Sequence, residues 1–379
     1  MTKQIVILGA GIGGITAANE LLANLPGQYE VVVVDQASHY EFSPSYLWML
    51  AGTRTLAQIT RPLDRIARKG LRFIQAKVEA IDPLSRSVTT DQGVLQADYL
   101  LIALGANTHM TGLAAVAQAG HNLYSASGAQ ALHDLSEKAA GSRVAVLVCS
   151  MPFKCPAAPY EAAMIWQKRL NGFRSGSQVA IYTPEPGPMP VAGEKVSAQI
   201  VQMLSNKKIN YFPKHAIQGM TADGQLDFGE QRASFDHLAY VPRHSVPQLL
   251  IDAGLAANSG WVPVNRNTMQ TQFPGVYAVG DCVGIPLVNG KSLPKAGVFA
   301  HGQAEAAARN IIEEIQGRPT SHHFNGYGQY FVEMGGIIAG RGAGNFYAEP
   351  NPDVKLNMPG PWHHLGKVMF ERFWLNKMY

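Results

Sequence analysis

The sequence predicts an α/β protein of two doubly wound domains, the first interrupted by the second, with an amphipathic helix at its C-terminal end. Three observations carry this reading. A strand, a glycine turn, a helix and a second strand ending in Asp35 follow one another over residues 3–35. A second strand–helix–strand pattern runs through residues 143–182. The length, 379 residues, exceeds the roughly 100–200 of one ordinary domain.

Each element has its own local signal. Lys3–Leu8 is an apolar strand that stops at Gly9-Ala10-Gly11-Ile12-Gly13-Gly14, and an alanine-rich helix follows from Ile15 to about Leu25. Tyr29–Val34 is the next strand, closed by Asp35; Phe73–Ile81 and Tyr99–Leu104 add strands. In the second domain Arg143–Val148 and Gln178–Tyr182 flank a helix over Tyr160–Leu170, and His237–Pro242 is a further strand. Val276–Val279 ends at Gly280-Asp281 and precedes a helix over Ala296–Ile315. Tyr347–Pro361, rich in Pro and Asn, reads as a linker to a last helix. The expected division is residues 1–107 with 268–318 for the first domain, 108–267 for the second, and 319–379 for a C-terminal region.

Composition narrows the function. With 46% hydrophobic and 15% charged residues, against a usual charged share of about 25%, the chain is not a disordered one. No apolar run reaches the roughly 18 residues of a spanning helix. A net charge of +4 without a polybasic block argues against a nucleic-acid partner. Three cysteines, Cys149, Cys155 and Cys282, make neither a disulfide framework nor a four-thiolate zinc site, and no metal is expected. The N-terminus runs straight into a strand, so a cytoplasmic location is expected.

The first glycine loop has the spacing of a dinucleotide site. Gly9, Gly11 and Gly14, with Gly13 between, give a tight turn, close backbone approach to a diphosphate, and tight helix–strand packing. The helix start offers free N–H groups to the anion, and Asp35 would accept from a ribose. That suits NAD or FAD. Thr271–Cys282 (TQFPGVYAVGDC) and Tyr99–Gly105 (YLLIALG) resemble the later motifs of two-domain flavoproteins, which points to FAD, with Gly105, Gly280 and Asp281 at the cofactor. The loop after Arg143–Val148 departs from a nicotinamide-binding pattern. It reads Cys149-Ser150-Met151-Pro152-Phe153-Lys154-Cys155-Pro156, with no glycine and two prolines that donate no N–H. NAD(P)H is therefore disfavoured as the electron donor.

Pro152–Ala163 (PFKCPAAPYEAA) resembles the redox-cysteine segment of sulfide:quinone oxidoreductases and of the flavoprotein subunit of flavocytochrome c sulfide dehydrogenase. Glu41–Ser45, Leu293–Gly297 (LPKAG) and the tail from Trp362 to Met378 resemble other segments of that family, so the likeness covers nearly the whole chain. It implies two Rossmann-like domains of the glutathione-reductase-like kind. It also implies an FAD set that adds Gln36, Pro44, Val78 and Lys295 to the residues above. In that set Lys295 would stabilise negative charge on the reduced flavin. Cys155 would capture sulfide or a small thiol, its thiol made acidic by the following helix and by Lys154, and Glu161 would handle protons. Electrons would leave to a quinone at a membrane surface.

One departure stands out. The family's second cysteine has no counterpart, and Tyr330 stands at its position. Thr183–Glu194 also lacks a histidine that some members carry. Cys149 and Cys282 read as small buried residues. In the tail, Trp362, Leu365, Met369 and Phe373 share a helical face, with His363, His364, Lys367, Glu371 and Arg372 largely opposite. Such a helix would dock on a membrane with its bases near the headgroups, making the protein peripheral, and Tyr330 and Phe331 would line a quinone pocket. A homo-oligomer is compatible with the sequence. The competing readings are a type II NADH:quinone dehydrogenase-like flavoenzyme and a non-catalytic FAD-bearing binding protein.

Overall fold

The computed structural model describes residues 3–25, 27–139, 141–172, 176–256 and 259–379. In chain order the elements that build the site are β1 (Lys3–Leu8), α1 (Ile12–Asn24), β2 (Tyr29–Asp35), β3 (Arg72–Gln75) and β4 (Tyr99–Ile102). They continue with β5 (His121–Asn122), β6 (Arg143–Val148), α2 (Ala158–Gly172), β7 (Gln178–Tyr182), β8 (Asn210–Phe212) and β9 (His237–Val241). The last are β10 (Val276–Ala278), α3 (Gly297–Ile315), β11 (Tyr327–Glu333), β12 (Ala339–Asn345), β13 (Asp353–Leu356) and α4 (Pro361–Lys377).

Two five-stranded parallel sheets form the frame, in the orders β10-β4-β1-β2-β3 and β5-β9-β6-β7-β8. Strands β1, β2 and β6 are near-continuous apolar runs because helices and loops cover both faces of a parallel sheet. The chain leaves the first sheet after β4 and returns with β10. Helix α3 lies along α1, and the missing side chain at Gly297 is what admits Ile12. A third, antiparallel sheet, β11-β12-β13, carries α4.

Two expectations are corrected here. Phe73–Ile81 is not one strand. The parallel ladder closes where the Ala76 N–H meets the Asp35 carbonyl at 2.9 Å, and Val78–Asp82 starts a separate antiparallel sheet with Ser87–Thr90 and Gly93–Gln96. The stretch 347–361 is not all linker. Val354 and Leu356 are buried and alternate with exposed Asp353 and Lys355, a period-two pattern that pairs β13 with β12.

Candidate active site

The residues expected at a dinucleotide converge at the carboxyl ends of the first sheet, where doubly wound folds bind ligands. Gly9 has φ 99°, and a side chain there would lie 2.4 Å from the Ala103 carbonyl oxygen; one at Gly14 would lie 1.8 Å from that of Gly9. Beside Gly11 and Gly105 there is open space. Asp35 is held in place by the N–H groups of Ala10 (2.7 Å) and Ala37 (2.8 Å), with Gln36 exposed beside it. Val78 is buried at the start of its strand, and half-buried Pro44 sits in the turn Ser43–Ser45. Gly280 follows β10, its N–H donating to Gln303 at 2.8 Å. The Asp281 carboxylate has no hydrogen-bond donor among the described residues; burial raises its pKa and the cations Lys154 and Lys295 oppose that. An open backbone cradle at a helix start, with a carboxylate at the end of the next strand, fits FAD.

Cys155 lies on the β6–α2 loop and meets the first domain directly. Its N–H donates to the Lys295 carbonyl at 2.6 Å, and the Tyr124 hydroxyl donates to the carbonyls of Lys154 (2.7 Å) and Cys155 (3.2 Å). Cys155 holds φ 51°, a left-handed conformation rare outside glycine and a sign of imposed local strain. Lys295 is buried, and its Nζ donates to the carbonyls of Asp281 (2.8 Å) and Val283 (3.0 Å) and stands 3.3 Å from the centre of the Trp261 ring. Burial brings its pKa down to about 8.

The acidic thiol expected at Cys155 is corrected. Burial first, and the Glu161 carboxylate second, push it up to about 12, and Lys367 only partly opposes them. Desolvation of the thiolate outweighs the helix terminus. The Cys155 thiol is protonated at neutral pH.

Glu161 belongs to a buried charged cluster that sequence reasoning missed. It accepts from the Glu333 N–H at 2.9 Å and from Lys367 Nζ at 3.2 Å. Lys367 Nζ also lies 3.9 Å from Glu333, which His364 Nδ1 meets at 3.0 Å. Buried Trp48 covers the cluster, its ring 5.2 Å from Lys367 Nζ and edge-on to His364. Burial raises the Glu161 pKa, with Lys367 the main opposing influence.

The polarity expected for α4 is therefore half right. Trp362, Leu365, Met369, Phe370 and Phe373 are exposed as a stripe. Lys367 and Glu371, however, point into the protein, Glu371 paired with Arg54 (2.8 Å) and bonded by Ser45 (2.6 Å). Trp374 is buried as well. No helix among the described residues is long and apolar enough to cross a membrane, and no metal-binding cluster occurs among them.

The remaining candidates separate. Neighbouring strand residues point to opposite faces: Phe331 shares the Glu333 face and packs near Gly366 of α4, whereas Tyr330 lies over Gly342, its hydroxyl buried without a partner. Cys149 and Cys282 are buried, the Cys282 thiol donating to the Val279 carbonyl at 3.3 Å. Glu185, not anticipated, is buried after β7. It accepts from Tyr160 and Thr183 (3.1 Å), and burial raises its pKa to about 7. Its only sequence signal is an acid just past a strand end.

Fold and crevice together define a two-domain FAD-dependent oxidoreductase. The chain belongs to the pyridine nucleotide-disulphide oxidoreductase family, whose model matches residues 3–304. It is 25% identical to the sulfide-quinone reductase of Aquifex aeolicus, across 100% of this chain and 91% of that one. It is 21% identical to a type II NADH:quinone oxidoreductase of Staphylococcus saprophyticus, across 84% of each. The crystal structure of the sulfide:quinone oxidoreductase from Aquifex aeolicus superposes with a TM-score of 0.87 at 24% identity, over 99% of this chain and 91% of that one, a likeness of fold.

Proposed function

We propose that the protein oxidises sulfide or a small thiol at Cys155 and delivers the electrons to quinone at a membrane surface. The observation that carries this is the backbone bond from Cys155 to Lys295, which seats a sulfur nucleophile against the segment beside Asp281 in the cofactor crevice. The β6–α2 loop favours sulfur over nicotinamide as the donor, because its non-glycine backbone and two prolines leave little to hold a second diphosphate.

Joining a sulfide sulfur to Cys155 makes one S–S bond and releases two electrons and two protons, and FAD, when bound, supplies the two-electron acceptor between sulfur and quinone. The chain's own residues handle the protons. With its thiol neutral, Cys155 must lose a proton before it can attack. Glu161 is the nearby carboxylate able to take it, and Lys367, Glu333 and His364 continue the polar route toward the half-exposed start of α4. Lys295 holds positive charge in the crevice. With Cys149 buried and Tyr330 where a second redox cysteine is expected, sulfur carried on Cys155 leaves by transfer to an incoming thiol or sulfide.

The supporting reading for the acceptor is α4. Its exposed aromatic stripe suits an interfacial helix, and Phe331 beside Gly366 is the residue to test in a quinone pocket. Anaerobic titration decides the donor. Bleaching of the flavin by sulfide and not by NADH supports the proposal; rapid bleaching by NADH alone replaces it with NADH:quinone chemistry.

A further inference from the structure

Ala10 sits between two glycines of the crevice loop and is buried. Its N–H donates to Asp35 Oδ2 at 2.7 Å, and its carbonyl accepts the Tyr379 hydroxyl at 2.8 Å across 369 positions of sequence. The Tyr379 ring is buried and stacks on Tyr40, centroids 4.1 Å apart and planes 17° from parallel. The segment before it is fastened too. Arg61 Nε donates to the Leu375 carbonyl (3.1 Å), Lys69 Nζ to that of Lys377 (2.5 Å), and Asn19 of α1 to that of Met378 (3.2 Å).

The Ala10 carbonyl and the Gly11 N–H belong to one planar trans peptide, so fixing the first sets the direction of the second. That N–H has no acceptor among the described residues, and the space beside Gly11 is open. We propose that Tyr379 is a positioning residue for FAD: its hydroxyl, through the Ala10 carbonyl, aims the Gly11 N–H at the cofactor's diphosphate and slows FAD release. Burial raises the Tyr379 pKa well above the usual tyrosine range, which keeps the hydroxyl a donor. The same arrangement ties FAD retention to α4, the helix with the exposed aromatic stripe. The loop is held at Asp35 by a local contact and at Tyr379 by a distant one.

The inference rests on FAD in this crevice and not on the sulfur donor, so its test omits sulfur and quinone. FAD-loaded wild type, Tyr379→Phe and Tyr379→Leu are diluted, and release is followed by recovery of flavin fluorescence. Loss of one hydrogen bond predicts release about 2- to 12-fold faster in Tyr379→Phe, and faster again in Tyr379→Leu, which also loses the stack on Tyr40. The FAD-free Tyr379→Phe protein loses the same bond to Ala10, so its melting temperature should fall by only about 1–4 °C. Wild-type release rates in Tyr379→Phe overturn the proposal, as does a lower melting temperature with unchanged release, the mark of a merely structural side chain. If Tyr379→Leu does not fold, Tyr379→Phe decides alone. Failure of wild type to load FAD would instead remove the cofactor reading, and this inference with it.

Discussion

Lys367 on α4 reaches within 3.2 Å of Glu161 on α2, joining the helix after Cys155 to the helix bearing the exposed aromatic stripe. Both side chains are buried, and Glu333 is the second carboxylate on the same ammonium. Removing a cation shared by two buried carboxylates leaves buried negative charge uncompensated.

Lys367→Met should therefore leave Glu161 and Glu333 close together without a cation. A loss of about 3–5 kcal/mol is expected in urea denaturation. Adding Glu161→Gln should recover part of it, because one buried charge is removed. A single variant as stable as wild type would show that the ion pair is not formed.

Cys155 tests the thiol chemistry. With its pKa at about 12, only about one molecule in 10,000 carries the thiolate at pH 8. Iodoacetamide labelling of the Cys155 peptide in the FAD-free protein should be slow and rise about tenfold per pH unit between pH 7 and 10. A plateau near pH 7 would restore the acidic thiol. Cys155→Ser should keep the flavin spectrum and lose reduction by sulfide.

Lys295 gives a signed pH dependence. Its folded pKa of about 8 lies below its usual 10.5, so between these values the unfolded chain binds the extra proton and stability rises with pH. The span corresponds to about 3 kcal/mol, complete by pH 10.5. Lys295→Met in the FAD-free protein should flatten that part of the stability profile. An unchanged slope would refute the burial effect.

The stripe on α4 predicts binding to lipid vesicles. Trp362→Ala with Phe373→Ala should weaken co-sedimentation with vesicles by tenfold or more, at roughly 1.5–3 kcal/mol per large apolar side chain. Thermal stability should hardly change, since both side chains are exposed. Equal sedimentation of variant and wild type would assign the stripe elsewhere.

Much of the frame was legible locally. Strand β1, its glycine loop, β2 with Asp35, and the pairs around α2 and α3 are written in contiguous residues. Apolar runs, turn glycines and strand-end acids act over a few positions, and they bring the glycine loop, Asp35 and Gly280 to the carboxyl ends of the first sheet. The break after Gln75 and the strand Asp353–Leu356 were hidden because each depends on which neighbour completes its ladder.

The sequence by itself determined the doubly wound frame, the FAD crevice and the cysteine set on the loop after β6. Only the tertiary structure decided which side of α4 turns inward and what state the Cys155 thiol takes. Helical spacing says which residues share a face, not which face another element will cover; here Glu161, Glu333 and Arg54 draw Lys367 and Glu371 inside and leave the aromatics out. A pKa likewise follows the dielectric and the charges around a group, and those at Cys155 come from distant segments folded against it.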